Sequence, residues 1–143
     1  MEEPWLLPSA LLDGATLRDK EYTWTLDKFS AALKKAPALG YGCLGGQFWI
    51  LPAPNQIYEL FWVEADASER LDGEDWSAYA ERSCLEVLER FNSLLKTTDF
   101  RKEAVKFGSL DSFLSSQQDL VGPSLEFAAY FVTEQEWASL QPR

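Results

Sequence analysis

The sequence predicts an α+β fold, a small antiparallel sheet of about three or more strands packed by helices, in a single domain spanning residues 1–143. Three observations predict it. Segments 25–36 and 74–95 carry apolar residues at helical spacing. Segments 47–51, 56–64 and 125–132 are aromatic and β-branched runs of strand length. The two kinds do not alternate in the regular way that builds a parallel sheet. A chain of 143 residues, 46% hydrophobic and 14% aromatic, has material for one real core.

Each element has its own signals. Residues 6–12 hold Leu6, Leu7, Leu11 and Leu12, broken by Pro8 and followed by Asp13-Gly14. Asp-Gly is turn chemistry, so a short helix over 9–12 stopping at Gly14 is expected. In 25–36, Leu26, Phe29 and Leu33 share a face, and Thr25 stands at the N-cap. Asp27 lies in the first turn and Lys34 and Lys35 in the last, as the helix dipole favours. Pro37 and Gly40 close the helix. Gly40, Gly42, Gly45 and Gly46 then mark a place where backbone approaches a neighbour closely or takes positive φ. Residues 47–51 read as a strand, 52–55 (Pro-Ala-Pro-Asn) as a turn and 56–64 as the next strand. So short a connection predicts an antiparallel hairpin. Simple alternation puts Ile57, Phe61 and Val63 on one face of the second strand and Tyr58, Leu60 and Trp62 on the other.

Residues 65–73 are polar and contain Asp72-Gly73, hence a loop. Residues 74–95 form the strongest predicted helix, with Trp76, Ala80, Cys84, Val87, Leu88, Phe91 and Leu95 in one stripe. Glu86 and Arg90 are spaced as an i,i+4 pair worth about 0.3 kcal/mol. In the last third, Thr98 is expected to cap a turn through Phe100 and Val105, and 110–117 reads as a short helix. Residues 125–132 form a third strand. Thr133-Glu134-Gln135-Glu136 is a capping-box pattern opening a terminal helix with Trp137 and Leu140.

Composition narrows the function. There are 23 Asp plus Glu against 13 Lys plus Arg, a net charge of −10, and no His. Without His there is no Ser-His-Asp or Cys-His machinery and no zinc site with His ligands. So negative a chain is not expected to bind nucleic acid through its phosphates. Cys43 and Cys84 are expected as two reduced, buried thiols. The acidic start Met1-Glu2-Glu3-Pro4 is unlike a signal peptide, and no apolar run nears the roughly 20 residues of a membrane span. A cytoplasmic location is therefore expected. No catalytic residue, cofactor or metal site is assigned.

The candidate site is the acidic run. Glu64, Asp66, Glu69, Asp72, Glu74 and Asp75 face one base, Arg70, giving net −5 over twelve residues, half the charge of the chain. Such a run is either a solvated loop or a docking surface that steers a cationic partner. Trp62 and Trp76 flank it, and a Trp anchor within a charged rim is hot-spot composition. As a calcium loop the run fails, because counting from Asp66 puts Arg70 fifth and Leu71 sixth. Gly45-Gly46 lacks the Lys and spacing of a phosphate loop. Paired-carboxylate catalysis by Glu59 and Glu64 has no diagnostic spacing behind it.

A series of short motifs carries a resemblance over residues 10–95. Leu11-Leu12-Asp13-Gly14-Ala15-Thr16-Leu17-Arg18 leads into Tyr22-Thr23-Trp24-Thr25-Leu26-Asp27-Lys28 and a helix. Leu44-Gly45-Gly46 then enters a strand, and Trp76-Ser77-Ala78-Tyr79-Ala80-Glu81-Arg82-Ser83 opens the long helix. The series resembles the immunity protein 40 family of bacterial polymorphic-toxin systems. Trp24, Gly45, Gly46, Trp76, Tyr79, Arg82 and Ser83 match its pattern, mostly at fold-holding positions; an Asp follows the glycine pair in that family, where this chain has Gln47. The resemblance implies a cytoplasmic, non-enzymatic inhibitor that occludes a cognate toxin domain. Many such toxins are nucleases with basic clefts, which an acidic partner complements. Two other classes stay open at this point: an acidic adaptor for a cellular protein, and a small carboxylate-based enzyme.

Overall fold

A computed structural model describes residues 6–53, 56–107 and 125–141. Within them a 3-10 turn (Ser9–Leu11) precedes a hairpin of β1 (Ala15–Arg18) and β2 (Glu21–Thr25). Helix α1 (Leu26–Lys35) runs into a 3-10 turn (Ala36–Leu39). A second hairpin, β3 (Gly42–Ala53) and β4 (Gln56–Asp66), leads to α2 (Trp76–Thr97) and α3 (Phe100–Ala104). Strand β5 (Leu125–Val132) and α4 (Glu134–Leu140) complete the order. The expected helix over 110–117 and the centre of the 52–55 turn lie outside the described residues.

The α+β expectation holds, as one antiparallel sheet of order β1-β2-β5-β3-β4. The last strand inserts between the two hairpins. Its sequence suits that place: a strand with neighbours on both edges and cover on its faces is a near-continuous apolar run, and Leu125, Phe127, Ala128, Ala129, Phe131 and Val132 are all buried. Leu125, Phe127, Ala129 and Phe131 alternate onto one face with their partners Ile50, Phe48, Gly46 and Cys43. Helices α1, α2 and α3 bring Phe29, Phe91 and Phe100 to that face. Phe29 lies 4.7 Å from Phe127 and 4.9 Å from Phe91, and Phe48 stacks on Phe91 at 5.5 Å. Trp24 closes one end of this aromatic core, its Nε1 donating to the Leu11 carbonyl at 2.8 Å. That bond seats the leucines of the first turn.

Four local readings are corrected. Residues 15–25 form a hairpin that the sequence did not announce, because its two-residue turn is Asp19-Lys20, with Asp19 itself at φ 59°, and not a glycine pair. The strand expected at 47–51 begins at Gly42. Gly45 takes φ +128°, and a side chain on Gly46 would strike the Ala128 carbonyl and the Phe127 ring, so the glycines are where β3 comes close to its neighbours. On β4 the alternation fails: the single step from Gln47 to Phe48 on β3 faces four steps on β4, from Glu64 to Leu60. This bulge carries Val63 into the core cluster with Leu60 and Ala65, away from Phe61. Finally, Asp99, not Thr98, caps α3 by accepting from the Lys102 N–H at 3.1 Å.

Other details match. Thr133 and Glu136 form the reciprocal capping box. Thr25 is the N-cap residue of α1, though its side chain makes no capping bond. Cys43 and Cys84 are free and buried, and burial holds both thiols protonated, Cys84 up at about 12. No helix among the described residues is long and apolar enough to cross a membrane.

Candidate partner-binding surface

The acidic run begins on the last residues of β4, crosses a loop and ends at the N-cap of α2. Arg82 organises it from the second turn of α2. Its Nε and Nη2 donate to the two carboxylate oxygens of Glu74 at 2.9 and 2.7 Å. Its Nη1 donates to Ser68 Oγ at 2.7 Å, and Nη2 also reaches the Glu69 carbonyl at 3.0 Å. A two-pronged guanidinium–carboxylate pair is both strong and geometrically exacting. It holds Glu74 down at about pKa 2, helped by the Leu71 N–H, and raises Arg82 in return. Glu86 accepts from the Ser68 N–H and hydroxyl at 2.9 and 2.7 Å and pairs with Arg82 at 3.3 Å, so the expected Glu86–Arg90 pair gives way to an i,i+4 pair on the other side. Burial opposes the ionised form of Glu86, but Ser68 and Arg82 outweigh it and its pKa is lowered.

Arg70 anchors the other end. It donates to the Glu74 carbonyl at 2.9 Å and to Glu134 of α4 at 2.8 Å. Its guanidinium carbon lies 4.7 Å from the Trp137 ring and 5.2 Å from the Trp76 ring. Such cation–π contacts occupy one face of each indole. Trp76 also donates from Nε1 to the Gly40 carbonyl at 3.0 Å. Trp76 and Glu74 are thus engaged inside the molecule.

The remaining carboxylates point outward. Glu64, Asp66, Glu69, Asp72 and Asp75 are exposed, and none makes an ion pair with a described residue. Asp75 sits at the N-cap of α2 without a side-chain capping bond. Glu64 and Asp66 lie two residues apart on the same side of β4. Asp66 is raised above its ordinary range by partial desolvation, where its carboxylate leans over Gly45, and then by the Glu64 charge, with Arg90 opposing.

The aromatic flank differs from expectation. Trp62 is half-buried on the helix side of β4, donating from Nε1 to Glu103 at 2.6 Å. The exposed aromatic is Phe61, 66% accessible, its ring edge-on to Trp62 at 4.9 Å. The sequence carried a signal for it, since alternation already separates Phe61 from Leu60. Beside this pair opens a cleft of about 410 Å³ lined by Trp62, Val63, Glu64, Leu94, Thr97, Thr98, Asp99, Lys102 and Glu103. A second cleft of about 420 Å³ borders the loop between Ser68, Glu69, Arg70, Tyr79 and Trp137. Among the described residues no group of three or more His, Cys, Asp or Glu is placed to hold a metal ion.

The arrangement suits recognition of positive charge: the end of β4 and a loop fixed by two arginines display five carboxylates that make no ion pair with a described residue. No family model, curated protein or solved structure matches the chain.

Proposed function

We propose that this protein acts by stoichiometric binding of a cationic protein, as a cytoplasmic immunity protein that occludes a cognate toxin domain. The observation that carries the reading is the division of labour within the acidic run. Arg82 neutralises Glu74 and Arg70 secures the loop backbone, while Glu64, Asp66, Glu69, Asp72 and Asp75 stay outward and unpaired with described residues. Ionised Asp66 costs stability, first through its partial desolvation and then through the Glu64 charge beside it. A cationic partner relieves that cost on binding, and a pre-shaped loop loses little entropy in doing so. Carboxylates of this kind also speed encounter with a basic protein, by about tenfold to a thousandfold at low salt.

The test is to look for a toxin domain in the neighbouring reading frames and to co-express this chain with it. Growth rescue together with a one-to-one complex on co-purification is the expected result. Absence of both removes the reading, and turnover of a small molecule by the purified protein would replace it with an enzyme.

A further inference from the structure

The bulge of β4 holds a cation already. Lys106 Nζ donates to Glu103 Oε1 at 2.8 Å and lies 5.2 Å from the centre of the Trp62 ring, while Trp62 Nε1 donates to the same Glu103 oxygen at 2.6 Å. The Trp62 ring, which Phe107 also packs at 5.6 Å, a carboxylate and an ammonium thus form one seat. Glu103 is held below the ordinary carboxylate range by Lys106 and then by Trp62, so it stays charged. The adjoining cleft adds Glu64 and Asp99, with Lys102 as its one cationic lining residue. Lys106 holds its place weakly: its side chain is 57% exposed, and an exposed ion pair of this kind contributes little.

We propose that this seat is the anchor site for an arginine side chain of the partner, with Lys106 as an internal stand-in that the arginine displaces. The inference rests on the reading of the protein as a binder of a cationic partner and names where that partner docks. A guanidinium suits the place better than the resident ammonium. It stacks flat on an indole and meets a carboxylate with two parallel donors. Phe61 extends the apolar rim on the outer side, where it would cover the seat's edge once a partner arrives. The loop acids then act at longer range, steering the partner toward the cleft.

The experiment follows the indole N–H resonance of Trp62 in the full chain, labelled with nitrogen-15, during titration with capped tetra-arginine. Tetra-citrulline, of similar shape but uncharged, is the control. The expected result is a saturable shift of Trp62 with tetra-arginine and none with tetra-citrulline. Lys106→Ala is expected to tighten binding about two- to fivefold, the worth of one partly exposed cation–π contact, and Glu103→Gln to weaken it by at least as much. The combined Glu69→Gln, Asp72→Asn, Asp75→Asn variant is expected to keep the Trp62 shift, which separates the seat from general attraction. Peptide binding that leaves Trp62 unmoved, or a Lys106→Ala protein that binds no better, overturns the assignment. A toxin complex that forms without moving Trp62 overturns the anchor and leaves the immunity reading standing. Peptide binding at the seat without any toxin complex does the reverse.

Discussion

Arg82 and Glu74 form a two-pronged ion pair, 2.9 Å from Nε to Oε2 and 2.7 Å from Nη2 to Oε1, across eight residues of sequence. One carboxylate of the acidic run is thereby spent as a fastener inside the molecule. The same guanidinium reaches Ser68 and the Glu69 carbonyl, so the shape of the whole loop depends on it.

The pair makes loop stability depend on acid. Glu74 is held down at about 2 against an ordinary value of 4.5. An acid depressed by folding stabilises the fold where it is ionised. Its contribution is complete above about 4.5 and is lost as pH falls through about 2. Glu74→Gln is expected to melt below the wild type near neutral pH and together with it near pH 2. A gap that stays constant over that range would show that the pair does not fasten the loop.

Asp66 has the opposite sign. Its raised pKa means that ionisation is less favourable in the folded protein than in the unfolded one, and stability suffers above its ordinary range. Asp66→Asn is expected to raise the melting temperature near neutral pH, with the gain vanishing in acid. The same variant is expected to associate more slowly with a cationic partner. Thermal melts across pH together with association kinetics check both halves.

Gly46 tests the packing of the sheet. A methyl group there meets the Ala128 carbonyl and the Phe127 ring, and backbone yields poorly. Gly46→Ala is expected to destabilise the protein by about 1–3 kcal/mol or more, as overpacking does. Denaturant titration measures it, and a loss below about 0.5 kcal/mol would mean that β3 and β5 can part there without cost.

Where periodicity and caps agree, the sequence was readable. Phe29 and Leu33 on α1, Val87 and Phe91 on α2, the apolar run of β5 and the Thr133 box all carry local signals, and all occupy their expected places. The β1–β2 hairpin was hidden although Leu17, Tyr22 and Trp24 alternate with Thr16, Thr23 and Thr25, because its strands are only 4 and 5 residues long and its turn lacks glycine. The site was half legible. Local composition marks the carboxylates, but which of them are spent internally depends on partners far away in sequence. Ser68 meets Glu86, Arg70 meets Glu134 and Trp62 meets Glu103 only after folding. The exchange of Trp76 for Phe61 as the exposed aromatic has the same origin, since Arg70 and the Gly40 carbonyl claim the indole.

The central claim is that outward carboxylates draw in a cationic protein. Glu69, Asp72 and Asp75 are exposed and free of ion pairs to described residues, so Glu69→Lys, Asp72→Lys, Asp75→Lys alters charge at the cost of about 0.3–1 kcal/mol for a Lys at the N-cap of α2. The most direct measurement is the stopped-flow association rate of wild type and this triple variant with the toxin domain that rescue identifies as the proposed partner, over a series of salt concentrations. The predicted result is a wild-type rate that falls steeply with salt and a variant at least about tenfold slower at low salt, converging on the wild type when charges are screened. Equal rates at every salt concentration would contradict the claim and leave the acidic run as a solvated loop.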